Sequence, residues 1–325
     1  MIETERASRT AVVLGASGFV GRHVCAGLAR DGWAVLGVSR TPAAADSPDR
    51  RAVLDLAAAD LAEIAQLFAA ARPALVVNAS GAVWRTTVEQ LRSGNDILVG
   101  KVVEAVAALA TRPRFVQLGS TAEYGPVPPG TLVDESAPAR PASEYGRTKL
   151  AATRTVLAAT EAGRLDGVVL RVANVIGPGT PPGSLLGTVA ATLARAAREG
   201  TPATLDLFTL SSERDFVDVR DVADAVAAAA GSELTGQCVN IGAGEAVAVR
   251  QLVTDLVAVS GVEARLVERD ATDSEVAVRG KDMRWHAVDV ALARRLIAWR
   301  PRHSLRDSVR AVWAEARRVE AVGAR

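Results

Sequence analysis

Three glycines spaced three apart, Gly15, Gly18 and Gly21, restrict what this chain can fold into. Thr10–Leu14 before them is a short β run. Phe19–Arg30 after them carries the apolar spacing of a helix that ends near Gly32. Gly15 permits a tight turn, Gly18 lets a ligand approach the backbone, and Gly21 lets the helix lie close on the strand. Ser17, Phe19, Val20 and Arg22 line the same turn. The helix would meet a ligand with free N–H groups and the positive end of its dipole, which suits phosphate. Ala34–Val38 then completes a β-α-β unit of about 30 residues, the context in which such a turn binds a dinucleotide.

The alternation continues. Leu61–Ala71 reads as helix, Ala74–Asn78 as strand, Glu89–Ala110 as one long helix and Arg114–Leu118 as strand. Tyr145–Ala162 reads as helix and Gly167–Val172 as strand. Such a pattern predicts an α/β fold with a doubly wound parallel sheet of the Rossmann kind. After Gly177, the breakers Pro178, Gly179, Pro181, Pro182 and Gly183 change the texture. Helices are expected at Ser184–Arg198, Val219–Ala230, Val249–Ser260, Asp289–Leu296 and Ser304–Val319, with strands at Asp215–Val219 and Val239–Ile241. No repeat or low-complexity linker separates the halves. Residues 1–175 are therefore expected to form a dinucleotide-binding domain, completed by about 211–243. Residues 176–325 would mainly supply a smaller, interleaved substrate lobe.

Bulk properties exclude several partners. Lys and Arg total 38 against 37 Asp and Glu, so the net charge near +1 gives no reason to expect nucleic acid or an anionic membrane. Cys25 and Cys238 make no disulfide framework, and each reads as a small buried hydrophobe. The first ten residues are mostly polar and charged with no apolar h-region, and no apolar run reaches about 18 residues, so the chain reads as cytoplasmic. His23, His286 and His303 are scattered without metal-ligand spacing, and no metal site is expected.

The end of the second strand bears on the cofactor. An acid there would bind ribose hydroxyls and repel a 2′-phosphate. The chain has Val38–Ser39–Arg40 instead, with Arg22 as a second cation, which favours NADP. Asp55–Leu56 would flank the adenine. Asn78–Ala79–Ser80 would lie beside the cofactor's middle.

Tyr145 and Lys149 stand four apart, which puts them on one helix face. Lys149 there would lower the Tyr145 pKa by its charge and hold a nicotinamide ribose. Ser120 follows the strand Arg114–Leu118 and so points into the same crevice. Its hydroxyl would orient a carbonyl while Tyr145 protonates the oxygen.

Taken together, these motifs resemble the extended short-chain dehydrogenase/reductase family. The match includes the glycine turn, Asn78–Ala79–Ser80, Ser120 with Tyr124–Gly125, and Tyr145 with Lys149. It continues through Arg171, Asn174–Val175–Ile176–Gly177–Pro178, Arg214–Asp215–Phe216–Val217–Asp218–Val219, Asn240–Ile241–Gly242 and Trp299–Arg300–Pro301. The later motifs are similar to nucleotide-sugar-modifying members. That implies substrate contacts from Trp84, Ser120, Thr121, Asn174, Arg214 and Arg279, with Val172 beside the cofactor.

Sugar dehydratases of the family carry an Asp–Glu pair where this chain has Thr121 and Ala122. Glu123 comes one place late, and in a strand-like stretch it would face the other way. Arg40 argues against an epimerase with bound NAD. The segments Asn78–Trp84 and Val172–Val175 look most like 4-ketoreductases acting on dTDP-4-keto-6-deoxyhexoses, with NADPH as reductant. A nucleotide-sugar epimerase, a reductase of a non-sugar ketone and a non-catalytic NADP sensor stay open as alternatives. The resemblance also implies a homodimer through helices 89–110 and 145–162.

Overall fold

The computed structural model describes residues 9–41, 50–82, 87–270 and 284–323. The strands in chain order are β1 (Thr10–Leu14), β2 (Ala34–Ser39), β3 (Arg50–Val53), β4 (Leu75–Asn78) and β5 (Arg114–Ser120). Next come β6 (Leu132–Val133), β7 (Asp166–Val172), β8 (Asn174–Ile176), β9 (Ala203–Phe208) and β10 (Glu213–Arg214). β11 (Phe216–Asp218), β12 (Cys238–Ile241), β13 (Val247–Ala248), β14 (Ala264–Arg269) and β15 (Trp285–Val288) complete them.

Among the described residues, seven strands form one sheet in the order β12-β7-β5-β4-β1-β2-β3, with every pair parallel. The central strands are apolar along their length, as in Leu75–Val76–Val77, because helices cover both faces. The helices α1 (Phe19–Arg30), α2 (Leu61–Ala71), α3 (Val88–Arg92), α4 (Leu98–Ala107), α5 (Glu144–Glu161), α6 (Leu185–Glu199), α7 (Val219–Gly231) and α8 (Val249–Ser260) follow in turn. Val24 and Leu28 of α1 and Val222 and Val226 of α7 pack on one face. Phe68 of α2, Val102 of α4 and Val156 of α5 pack on the other. The strand order reverses between β1 and β4, so a crevice opens beyond their C-terminal ends. Gly15 and Ala79 leave the sheet at that point.

The second half of the chain does not follow as a separate bead. β12 returns to the sheet edge beside β7 (Asn240 opposite Arg171). The small sheet β13-β10-β15-β6 joins residues from both halves. A further core is built from Leu193 of α6, Leu252 of α8 and Trp313 of the C-terminal helix Leu305–Gly323. Trp299 before that helix is buried and donates its indole N–H to the Asp221 carbonyl at 2.9 Å. No helix of the described residues is long and apolar enough to cross a membrane. Cys25 is buried, Cys238 half-buried, and both are free.

Three local expectations change. The helix expected over 89–110 is interrupted: α3 passes into a π-helical turn, Ser93–Ile97, before α4, which ends at Ala107. β5 continues to Ser120 itself rather than stopping at Leu118. The parallel pair β9–β14 was not anticipated, because β14 is half-exposed and carries charges at Arg265, Glu268 and Arg269.

Candidate active site

The glycine turn has the shape that a diphosphate needs. Gly15 has φ +78°, and a Cβ there would lie 2.8 Å from the Ser80 backbone. A Cβ on Gly21 would lie 2.1 Å from the Gly15 carbonyl oxygen, so α1 could not sit where it does. Gly18 caps α1, and no side chain occupies the first turn's N–H groups. That leaves the donors and the dipole end for an anion. Ser17, Phe19 and Val20 line this turn with partial or full exposure, and Val172 closes the end of β7.

Arg22 is placed differently from Arg40. Its guanidinium donates to the carbonyls of Pro178, at 3.3 Å, and Gly179, at 2.7 Å. It ties α1 to the loop after β8 rather than standing beside the second strand. Arg40 is exposed just past β2, where Ser39 is buried and donates to the Thr41 carbonyl. Asp55 is exposed and accepts the Ala57 N–H, while Leu56 is buried. Asn78 is fully buried, donates to Gln117 and accepts from Ser80, which shapes the exit of β4 past Ala79.

Ser120, Tyr145 and Lys149 converge at the C-terminal end of β5. Ser143 caps α5 by accepting the Gly146 N–H, which puts Tyr145 in the helix's first turn. The Ser120 hydroxyl, which accepts the Ala122 N–H at 3.2 Å, lies close enough to the Tyr145 phenol to act on its pKa. Lys149 is buried and donates to the Leu118 carbonyl at 2.6 Å. Burial dominates both pKa values: it pushes Tyr145 up to about 12 and Lys149 down to about 8. The expectation that Lys149 lowers the Tyr145 pKa is therefore not met. Desolvation outweighs any help from the ammonium, which turns toward a carbonyl. A phenol held neutral is suited to give a proton rather than to take one.

A residue that sequence reading missed completes the surroundings. Asn95 sits in the π-helical turn and is buried. Its Oδ1 accepts the Ala82 N–H at 2.9 Å, and its Nδ2 donates to the Ala82 carbonyl at 3.0 Å and to Thr148 at 3.3 Å. It thus clamps the loop after β4 to α5 beside Lys149. The available signal was the weak helix-forming run Ser93–Gly94–Asn95–Asp96 within an otherwise apolar helix pattern.

Thr121 and Glu123 are also placed differently from expectation. Residues 121–123 form a 3₁₀ turn, not a strand continuation. Glu123 still points away from the crevice, but because Arg171 holds it in the interior, at 2.8 Å. Thr121 is buried beside Ser120.

On the far side of the crevice, Asn174 starts β8 and donates its Nδ2–H to the Asp215 carbonyl at 2.9 Å. Arg214 lies on β10, and burial lowers its pKa to about 10. Arg214 is half-buried and donates to the Glu213 carbonyl at 3.0 Å; among the described residues no carboxylate pairs with it, so its charge can meet an anion. His286, its register partner on β15, is buried, and its pKa is lowered to about 4 by burial and by Arg214. Trp84 and Arg279 lie outside the described residues. Among those described, no cluster of His, Cys, Asp or Glu could hold a metal ion.

Comparisons with known proteins identify the family. The NAD dependent epimerase/dehydratase family matches residues 11–242. A dTDP-6-deoxy-L-talose 4-dehydrogenase (NAD(P)(+)) of Kitasatospora kifunensis is 44% identical over 301 residues, covering 93% of each chain. A GDP-6-deoxy-D-mannose reductase of Pseudomonas aeruginosa is 28% identical over 93% of this chain and 95% of its own. Among solved structures, MoeE5 in complex with UDP-glucuronic acid and NAD superposes with a TM-score of 0.81 at 27% identity, covering 95% of this chain and 99% of that one. RMD from Pseudomonas aeruginosa, complexed with NADPH, shares the fold with a TM-score of 0.81 at 23% identity, over 96% of this chain and 100% of that one. The chain belongs to the NAD dependent epimerase/dehydratase family, an enzyme family that modifies nucleotide-linked sugars.

Proposed function

We propose that the protein reduces the 4-keto group of a dTDP-linked 4-keto-6-deoxyhexose, using NADPH. The observation that carries this reading is the convergence of Ser120, Tyr145 and Lys149 beside a glycine turn shaped for a diphosphate. Nicotinamide supplies the hydride when the cofactor is bound. Ser120 orients the carbonyl, the neutral Tyr145 phenol gives its proton to the oxygen, and Lys149 keeps positive charge next to the transfer. Arg214 and Asn174 hold the substrate's diphosphate and nucleotide. The 44% identical relative is named for a 4-dehydrogenation, which is this step run backwards, so one site serves both directions. Arg40 and the missing acid after β2 favour NADP over NAD.

The test is incubation with a panel of dTDP-4-keto sugars and either NADPH or NADH, with products identified by NMR. Turnover that needs no added NADPH, with NAD retained on the purified protein, would point to an epimerase instead. Arg214→Ala should raise KM for the nucleotide sugar by about 10–100-fold with little change in kcat, the size of one or two charge-assisted hydrogen bonds. An unchanged KM would remove the nucleotide-sugar reading and favour a free ketone.

A pH profile gives a second check. Because the Lys149 pKa is depressed to about 8, its ammonium is lost as pH rises through that value. kcat/KM for reduction should fall on the alkaline side with a midpoint near 8. A flat profile to pH 10 would separate Lys149 from the chemistry.

The reading includes a homodimer through helices 89–110, which span α3, the π-helical turn and α4, and 145–162, in α5. Ile97 before α4 is 56% exposed and Val88 in α3 is 48% exposed, which suits a covered face. Ile97→Glu should convert a dimer to a monomer in analytical ultracentrifugation, and a wild-type monomer would refute the pairing.

A further inference from the structure

A chain of buried polar groups runs beneath the turn that carries Ser120. Glu123 is fully buried and divides its carboxylate between two donors. Oε1 accepts the Ser120 backbone N–H at 2.8 Å, and Oε2 accepts the Arg171 Nε–H at 2.8 Å. Gly119 makes the room, since a Cβ there would lie 2.7 Å from Glu123 Oε1. Gly119 is the register partner of Arg171 on β7, and Arg171 that of Asn240 on β12, so the three share a sheet face. The Arg171 guanidinium lies 4.7 Å from the centre of the Tyr124 ring. The Tyr124 hydroxyl donates to Asn240 Oδ1 at 2.7 Å, and Asn240 Nδ2 donates to the Val133 carbonyl of β6 at 3.0 Å. The turn is thereby tied across three strands to the second sheet.

A buried ion pair is a poor device for stability alone, because well-packed hydrophobic residues of like volume often serve as well or better. What this pair does specifically is directional. It fixes the backbone at the last residue of β5, the one whose hydroxyl must meet both the Tyr145 phenol and a substrate oxygen. We propose that Glu123, held by Arg171, is a positioning residue that sets the Ser120 hydroxyl for reaction without touching substrate or cofactor. This rests on the reading of Ser120 given above.

The test replaces both members of the pair in the full-length protein, Glu123→Leu with Arg171→Met. This double variant should keep its denaturation midpoint, NADPH affinity and KM within about twofold, yet lose about 10–100-fold in kcat, the scale of a small misplacement of a catalytic group. In a Ser120→Ala background the same double change should alter kcat by less than about twofold, as expected for residues acting as one unit. A folded double variant with wild-type kcat overturns the proposal, as does an undiminished loss in the Ser120→Ala background. If the double variant does not fold, Glu123→Asp decides: it keeps the charge that pairs with Arg171 but is one methylene shorter and draws back from the Ser120 N–H, so kcat should fall about tenfold; a wild-type rate overturns the proposal. Should the wild-type chain reduce no nucleotide-linked keto sugar, that counts against the proposed function. The Ser120 amide then decides the positioning bond: faster hydrogen exchange in Glu123→Asp supports it, and unchanged exchange overturns it.

Discussion

Tyr145→Phe is expected to keep its fold and its NADPH affinity but to reduce the substrate about 10²–10⁴-fold more slowly in kcat, the range for losing a general acid. The change deletes one hydroxyl from the half-buried Tyr145, beside Ser120, and leaves the ring in place. Desolvation pushes its pKa up to about 12, so the phenol carries its proton at neutral pH. The measurement is single-turnover oxidation of NADPH, followed by absorbance, with binding checked separately by fluorescence. Retention of more than about a tenth of the wild-type rate would take Tyr145 out of the chemistry and revive a non-catalytic role in sensing the cofactor.

Arg171→Met alone should destabilise the protein by about 3–5 kcal/mol, because it strands a fully buried Glu123 carboxylate without its partner. Urea denaturation would measure it. A loss under about 1 kcal/mol would mean that the carboxylate finds water or protonates at little cost. Adding Glu123→Leu should recover most of the loss, since the charge is then gone with its counter-charge. The two substitutions therefore behave as one unit in stability, and the pair of them separates stability from rate.

Much of this was legible in the chain. The glycine turn is recognisable because tight turning, close ligand approach and helix packing each demand a missing side chain at a fixed spacing. The central strands stood out because parallel strands covered on both faces become continuous apolar runs. The position of Ser120 followed from where a doubly wound sheet points its strand ends.

What escaped had identifiable causes. The π-helical turn at Ser93–Ile97 is masked because the apolar positions on either side keep helical spacing. Its one sequence signal is the weak helix-forming run Ser93–Gly94–Asn95–Asp96, from which the burial of Asn95 cannot be read. In the sequence Glu123 reads as a residue on a continuing strand, because nothing local in Ser120–Thr121–Ala122–Glu123 distinguishes a strand from a 3₁₀ turn. Its partner lies 48 residues away, and only the sheet register brings them together. The Tyr145 pKa has a related cause: proximity of Lys149 can be read from spacing, but the desolvation that raises the pKa cannot.

The return of β12 to the edge of β7 has a consequence for how the protein is made. A ribosome delivers residues in order, at about 5–20 per second, and domains usually condense as they emerge. Here Cys238–Ile241 arrives long after the strand it must flank. Through that interval β7 offers an open hydrogen-bonding edge, and Arg171 and Tyr124 wait for Asn240. Synthesis arrested near residue 175 would release a sheet with an uncapped, apolar border, the kind of surface that recruits chaperones or other nascent chains.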